Sequence, residues 1–324
     1  MERKIYRHVC GNQSPCEKSE ASPGGKGMKQ LAVISGKGGC GKTTLTAAFF
    51  SLAKDAVLAD CDVDAADMSL VLSPSILEKK DSTGLELASI DPERCTGCWK
   101  CIEVCRFDAI LENFKINPYN CEGCAVCTLV CPENAVSLSS RVSGQAVSSI
   151  TRFGPLIHGE LEVGEEASGK LVTLVRNQAR EIAEANSKEL VIIDGPPGTS
   201  CPAIAAITGA DLVLLLSEPT VSGLHDLKRV AELTKQFRIP AVACINKADI
   251  NEKKSLEIEL FCKEAKIPLL AKLPYADAPT KAMLKEETVI EYASLFGDKE
   301  AWDFAALIQK LWNLLEIRLS SKVK

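Results

Sequence analysis

Residues 36–44 read Gly-Lys-Gly-Gly-Cys-Gly-Lys-Thr-Thr, between a short apolar run, Lys29 to Ser35, and a helical stretch, Thr43 to Lys54. The stretch fits G-x-x-x-x-G-K-[ST], and a strand before it with a helix after it is the context that gives the pattern meaning. Further apolar runs have the same strand character: Ala56 to Asp60, Leu190 to Asp194, Leu212 to Ser217, Ala241 to Asn246 and Pro268 to Leu273. Helical segments lie between them, Lys170 to Asn186 being one. Strands of this kind alternating with helices predict an α/β fold, a mostly parallel sheet flanked by helices on both faces.

The loop has a specific chemistry. Its glycines let successive backbone N–H groups converge on phosphate oxygens, helped by the N-terminus of the following helix. Lys42 is placed to reach the β- and γ-phosphates, and the Thr43 hydroxyl to ligate Mg²⁺. The candidate nucleotide-binding residues are therefore Gly36, Lys37, Gly38, Gly39, Cys40, Gly41, Lys42, Thr43 and Thr44. Asp194 ends an apolar strand and precedes Gly195-Pro196-Pro197-Gly198-Thr199; it is expected to hold Mg²⁺, with Gly198 letting the segment move when the γ-phosphate leaves. Asp60-Cys61-Asp62 ends the second strand; Asp64 and Asp67 nearby read as surface or structural charges.

Between residues 90 and 140 the character changes: eight of the chain's 15 cysteines fall there. The first 30 residues hold no apolar export segment, and no apolar run exceeds five residues, so neither a secretory signal nor a spanning helix is expected. In such a chain metal ligation is favoured over a disulfide framework. The cysteines follow one spacing rule twice, Cys95-x2-Cys98-x2-Cys101-x3-Cys105 and Cys121-x2-Cys124-x2-Cys127-x3-Cys131-Pro132, within a repeat offset by 26 residues. Three thiolates two residues apart can wrap one cuboidal cluster. The fourth is expected to start a short helix and face the other cluster. This assigns Cys95, Cys98, Cys101 and Cys131 to one [4Fe–4S] cluster and Cys121, Cys124, Cys127 and Cys105 to a second. Gly97 and Gly123 would let the backbone hug the sulfurs. The alternative, a zinc module, rarely uses three successive x2 spacings.

Residues 90–138 resemble the bacterial two-[4Fe–4S] ferredoxins, with Arg106 departing from the frequent proline. The loop Gly36-Lys37-Gly38-Gly39-Cys40-Gly41-Lys42-Thr43 resembles the deviant Walker A loop of the MinD, ParA, Mrp and nitrogenase iron-protein superfamily. That resemblance implies that Lys37 reaches into the other subunit's nucleotide in an ATP-sandwich homodimer, that Asp62 positions the attacking water, and that Asp194 is the Walker B acid. Lys37, Lys42 and Asp62 are thus the catalytic candidates. Asn246-Lys247-Ala248-Asp249 admits two readings, a guanine-specifying NKxD or the family's adenine-contacting segment; the second, hence ATP, is preferred on the strength of Lys37. Segments such as Phe153 to Gly159, Ser168 to Val172 and Glu218-Pro219-Thr220 are similar to one group, the MinD-superfamily P-loop ATPases containing an inserted ferredoxin domain, over residues 29–290. The expected organisation is a polar tail over 1–28, a discontinuous ATPase domain over 29–89 and 141–324, and a ferredoxin domain over 90–140.

Cys201 lies seven residues after Asp194, where the nitrogenase iron protein has a cluster ligand, but a second ligand has no counterpart here; it reads as a buried or switch-adjacent thiol. Cys40, Cys61, Cys244 and Cys262 read as core residues, Cys10 and Cys16 as idle or transiently metal-binding. His8, His158 and His225 show no ligand or triad spacing. Trp302 to Leu319 has helical apolar spacing, and docking on its own domain is favoured over membrane binding. A net charge of −5 argues against nucleic-acid contact. The expectation is a dimeric ATPase in a reducing cytoplasm with ATP, Mg²⁺ and two [4Fe–4S] clusters, gating electrons to an unidentified redox or metalloprotein partner. Iron–sulfur or metallocentre assembly is the alternative, and a MinD- or ParA-like positioning switch with redox-sensing clusters a further one.

Overall fold

The computed structural model describes residues 27–165, 167–297 and 299–321. The expectations for the tail, Cys10, Cys16, His8 and the last three residues lie outside these.

The chain opens with β1 (Lys29–Ser35), α1 (Lys42–Leu52), β2 (Ala56–Asp60) and a short α2 (Met68–Leu72). A long strand, β3 (Ser75–Ile90), leads into the cysteine segment with its two five-residue helices, α3 (Lys100–Val104) and α4 (Val126–Val130). The return strand β4 (Val136–Thr151) is followed by β5 (Gly154–Leu161) and α5 (Gly169–Ala185). Alternation then runs β6 (Leu190–Asp194), α6 (Cys201–Ile207), β7 (Leu212–Ser217), α7 (Val221–Gln236), β8 (Ala241–Ile245), α8 (Glu252–Glu264) and β9 (Leu269–Lys272). Three helices close the chain: α9 (Ala278–Met283), α10 (Val289–Phe296) and α11 (Lys299–Ser320).

The strands form one sheet in the order β3-β4-β5-β2-β6-β1-β7-β8-β9. From β5 to β9 every neighbour is parallel; β3, β4 and β5 pair antiparallel. Successive side chains of a strand point to opposite faces. Leu31 and Val33 accordingly join a core with α1 and the C-terminal helices, and Ala32 and Ile34 a second core with α5 to α8. Burial on both faces explains why β1, β2 and β6 read as continuous apolar runs. Phe304, Ile308, Leu311, Trp312 and Leu315 of α11 are buried, and Trp312 stacks on Phe49 of α1 with ring centroids 5.5 Å apart. The last helix is docked on its own sheet, as its spacing suggested.

The antiparallel edge is what the sequence did not announce. β3 and β4 pair from Ser75↔Ile150 to Ile90↔Val136, with three register shifts. This ribbon carries residues 91–135 at its end, over a small apolar cluster of Ala88, Cys101, Ile110 and Val136. The 26-residue repeat is also a repeat of backbone conformation. Gly97 and Gly123 (φ 67° and 60°), Trp99 and Ala125 (64° and 66°), and Asp108 and Asn134 (50° and 48°) all adopt left-handed dihedrals in matching places. One expectation is corrected here. The fourth cysteines do not start helices: Cys105 and Cys131 cap the C-termini of α3 and α4, with extended ψ of 107° and 111°. Pro132 is compatible with this at Cys131, but Cys105 takes the same conformation before Arg106, so the ending belongs to the repeated turn and not to the proline.

Candidate functional site

The loop between β1 and α1 lies at the C-terminal ends of the parallel strands, where this architecture places its ligands. Gly41 stands at the N-cap of α1 with φ 88°, and a Cβ there would lie 2.6 Å from Nδ2 of Asn246, so the loop is drawn tight by a residue that leaves no room for a side chain. The Lys37 carbonyl accepts hydrogen bonds from Ser35 Oγ (2.6 Å) and Cys40 Sγ (3.2 Å). This pins the turn while the Lys37 side chain stays exposed, as are Gly38 and Gly39. Cys40 is buried; Gly36, Thr43 and Thr44 are half-buried.

Lys42 is buried at the first turn of α1, its Nζ 3.4 Å from Asp62 Oδ2. Thr43 Oγ1 donates to Asp194 Oδ2 at 2.8 Å, and Thr46 Oγ1 lies 3.1 Å from Asp194 Oδ1. Asp60 and Asp194 are register partners on β2 and β6 and both are buried. Asp62 and Asp194 thus both feel the Lys42 ammonium, and Asp60 is buried beside these two acids. Burial holds the Asp194 carboxyl up, to about 6, against the pull of Lys42 and Thr43. Burial likewise raises Asp62, with Lys42 opposing. Asp60 is raised furthest from the ordinary carboxylate range, first by burial and then by Asp194. Its Oδ1 accepts the Asp62 N–H at 3.1 Å, and its Oδ2 is buried without a hydrogen-bond partner among the described residues. An orphaned carboxylate oxygen beside a second acid is the electrostatic setting that a cation relieves. Thr43 and Asp194 can hold Mg²⁺ here, with Asp60 adding negative charge.

Beyond Asp194 the backbone stays tied to β1: Gly195 N donates to Val33 O and Gly198 N to Ser35 O, both at 2.9 Å. On the other flank Asn246 Nδ2 donates to Cys40 O at 2.9 Å. Lys247 Nζ reaches Glu218 Oε1 at 2.5 Å and Gly39 O at 3.3 Å. Asp249 is not brought to the loop; it is exposed and accepts the Tyr275 N–H at 2.6 Å. Of the Asn246-Lys247-Asp249 trio, the structure gathers the first two.

The eight cysteines surround two cavities. Cys95, Cys98, Cys101 and Cys131 line one, with Trp99, Phe114 and Val136. Cys105, Cys121, Cys124 and Cys127 line the other, with Val104, Ile110 and Leu138. The Ala135 N–H points at Cys131 Sγ, 3.2 Å away. Partial burial pushes that thiol up, but the N–H groups of Ala135, Glu133 and Val136 outweigh it and hold the thiol below its ordinary value. Burial raises Cys101 and Cys127. Among the described residues no three His, Cys, Asp or Glu side chains converge as one metal ion requires. Cys40, Cys61, Cys244 and Cys262 are buried, as expected; Cys201 is exposed at the start of α6, so of its two readings the buried one is corrected.

Residues 31–289 match the family model described as the CobQ/CobB/MinD/ParA nucleotide binding domain. The chain belongs to that family. An uncharacterized protein of Methanocaldococcus jannaschii is 40% identical over 69% of this chain and 80% of its own length. Among solved structures, the cell division ATPase MinD of Pyrococcus furiosus is similar with a TM-score of 0.53 and 19% identity, over 88% of this chain and 99% of that one. The septum site-determining protein MinD of Pyrococcus horikoshii, complexed with Mg-ADP, has a TM-score of 0.54 and 18% identity, over 91% and 100%. The chain is therefore a P-loop nucleotide-binding protein of the MinD/ParA superfamily. Its membership makes the residues missed in the sequence easier to see. Thr46, one helical turn after Lys42, and Asp60, the last residue of β2, both face Asp194, and strand-end register was the signal for Asp60. Glu218, the partner of Lys247, lies in the Glu218-Pro219-Thr220 segment that carried the resemblance, but that segment gave no role for its carboxylate. Among the described residues no helix is long and apolar enough to cross a membrane.

Proposed function

We propose that the protein is an ATP-hydrolysing, dimeric switch whose residues 90–140 form a ferredoxin-like domain with two [4Fe–4S] clusters, and that nucleotide state gates electron delivery to a partner enzyme. One observation carries the iron–sulfur part: eight cysteines divide into two sets of four, each around its own cavity, with the fourth member of each set supplied by the other copy of the repeat. This is the cross-over that the spacing of bacterial ferredoxins requires. A single zinc ion wants its sulfurs drawn close around one centre. A cuboidal cluster puts each thiolate on a different iron and spreads them, a spacing that two separate cavities each lined by four cysteines would serve. Such a cluster, once bound, carries one electron at a time.

The ATPase chemistry rests on the chain's own groups. The loop N–H groups and Lys42 hold the phosphates, Thr43 and Asp194 hold Mg²⁺, and Asp62 orients the attacking water after giving up Lys42 to the γ-phosphate. The exposed Lys37 is available to a nucleotide in a second copy. Asn246 and Lys247 flank the loop where a base would lie, and the Mg-ADP held by the Pyrococcus horikoshii relative supports an adenine nucleotide. Hydrolysis removes the γ-phosphate contacts and releases the segment around Gly198. Even a hundredfold preference of ATP for the closed dimer supplies only about 2.7 kcal/mol, so the switch has to be finely balanced. Complete four-cysteine ligation favours relay over cluster donation.

The test is anaerobic. Purified protein should contain about eight irons, elute as a dimer with Mg²⁺ and a non-hydrolysable ATP analogue, and elute as a monomer with ADP. Replacing Lys37 with alanine should leave mononucleotide binding and remove the dimer. A protein that stays monomeric with every nucleotide sinks the switch. Rapid ATP-dependent transfer of iron to an apo-acceptor would replace the relay with an assembly role.

A further inference from the structure

The two copies of the cysteine repeat differ in what they touch outside themselves. In the second copy, a Cβ on Gly123 would lie 2.3 Å from Glu86 O, so the loop of Cys121 and Cys124 presses on the β3 backbone. Arg141 of β4 donates to Pro118 O and pairs with Glu165. The Tyr119 ring lies against Gly164, where a Cβ would sit 2.9 Å from Cδ1. The positions 26 residues earlier are Pro92, Glu93 and Gly97, and their surroundings lie within the module. Gly97 faces Phe114, Asp91 N donates to Ala135 O, and Arg94 Nη2 donates to Glu133 O. One half of the module is thus fastened to the loop that leads from β5 into α5.

That loop is in turn fastened to the nucleotide site. Gly169, the first residue of α5, packs on the backbone of Cys201, 3.4 Å from a Cβ position to the Cys201 carbonyl oxygen. Cys201 opens α6 directly after the segment that follows Asp194. Arg176 of α5 donates to Ala205 O and Thr208 O at 2.6 Å each, so α5 and α6 are bound as one unit. Packed helices of this kind transmit a shift at one end to the other.

We propose that Arg141, Glu165 and Tyr119 form the joint through which nucleotide state acts on the half of the module holding Cys105, Cys121, Cys124 and Cys127, leaving the half holding Cys95, Cys98, Cys101 and Cys131 unaffected. The inference rests on the ATPase-switch reading for its input and on the cluster reading for its output. The physical lever is charge. Arg141 sits over Pro118, three residues before Cys121, and Glu165 neutralises it. A movement of the α5 loop that withdraws Glu165 leaves an unneutralised cation on the Pro118 carbonyl, in the segment leading into Cys121 and not in the one leading into Cys95, and local charge sets how readily such a centre accepts an electron. Linkage is reciprocal: whatever nucleotide does to reduction of that centre, its reduction does by the same factor to nucleotide affinity.

The experiment is amide hydrogen exchange on the full-length, iron-loaded protein under anaerobic conditions, comparing Mg²⁺-ADP with Mg²⁺ and a non-hydrolysable ATP analogue. The expected result is a several-fold change in exchange at residues 162–168 and 117–123 and none at 91–97. Glu165→Gln should abolish the change at 117–123 and keep the one at 195–201; Tyr119→Leu is a second variant with the same expectation. An electron-resonance redox titration should show one of two clusters shifting with nucleotide in the wild type and neither in Glu165→Gln. Equal changes in both cysteine loops, or a change at 117–123 that survives both substitutions, overturns the joint. If the protein holds no iron, the cluster reading fails, and the same exchange comparison on the full-length protein as isolated, with both variants, still decides whether nucleotide state reaches residues 117–123 through the joint.

Discussion

Asp194 is where burial, charge and function meet. Its ordinary pKa is 3.8 and its folded value about 6, so folding disfavours the ionised form. The sign follows: the group's contribution to stability is fully present below pH 3.8 and is lost as pH rises through 6. Asp194→Asn should therefore favour the stability of the nucleotide-free protein more at pH 8 than at pH 4, read from denaturant melts at the two pH values. The same substitution should remove the Mg²⁺ dependence of nucleotide binding, because an amide is a poor ligand for a hard cation. A second contrast concerns the two lysines of the loop. Lys42 is buried against Asp62, whereas Lys37 is exposed. Lys42→Ala is expected to abolish nucleotide binding in a calorimeter, and Lys37→Ala to leave it within a few-fold.

Elements show why equivalent sequence positions are not equivalent structurally. Gly97 and Gly123 occupy the same place in the repeat and share a left-handed φ, so alanine at either costs about 1–2 kcal/mol of backbone strain. Only Gly123 also abuts a strand backbone. Gly123→Ala is expected to lose iron and melt well below Gly97→Ala, measured by iron content and thermal unfolding of the two variants side by side. At the other end of the molecule, Trp312 fills the space between α11 and α1. Trp312→Ala should cost about 3–5 kcal/mol, since the cavity opens within a close-packed core. The α11 pattern was legible because its apolar spacing is that of a helix lying on a surface. The β3–β4 ribbon was not, because charged and small residues such as Glu78, Lys79, Lys80, Asp81 and Ser82 occupy its first half, and an exposed edge needs no apolar signature.

Taken whole, the molecule is a nucleotide-binding sheet with a cysteine module set on a two-stranded arm. Ile90 and Val136 are register partners. A two-residue Asn-Gly turn joining them should replace residues 91–135 without disturbing the sheet. The shortened protein is expected to fold and to bind nucleotide with affinity close to that of the full chain, while losing its iron absorbance; calorimetry and visible spectra report the two outcomes separately. The sequence by itself determined the central parallel strands, the loop chemistry of Lys42 and Thr43, and the spacing of the eight cysteines, because periodicity and turn chemistry act over a few neighbouring residues. Tertiary structure alone decided that Asp60, Thr46 and Asp194 share one buried site, that Asp249 turns away to Tyr275, and that one half of the cysteine module is tied to Glu165 and Gly164. Those contacts join residues up to about 150 positions apart, and distances of that kind are set by how strands register and helices pack, which no local pattern encodes.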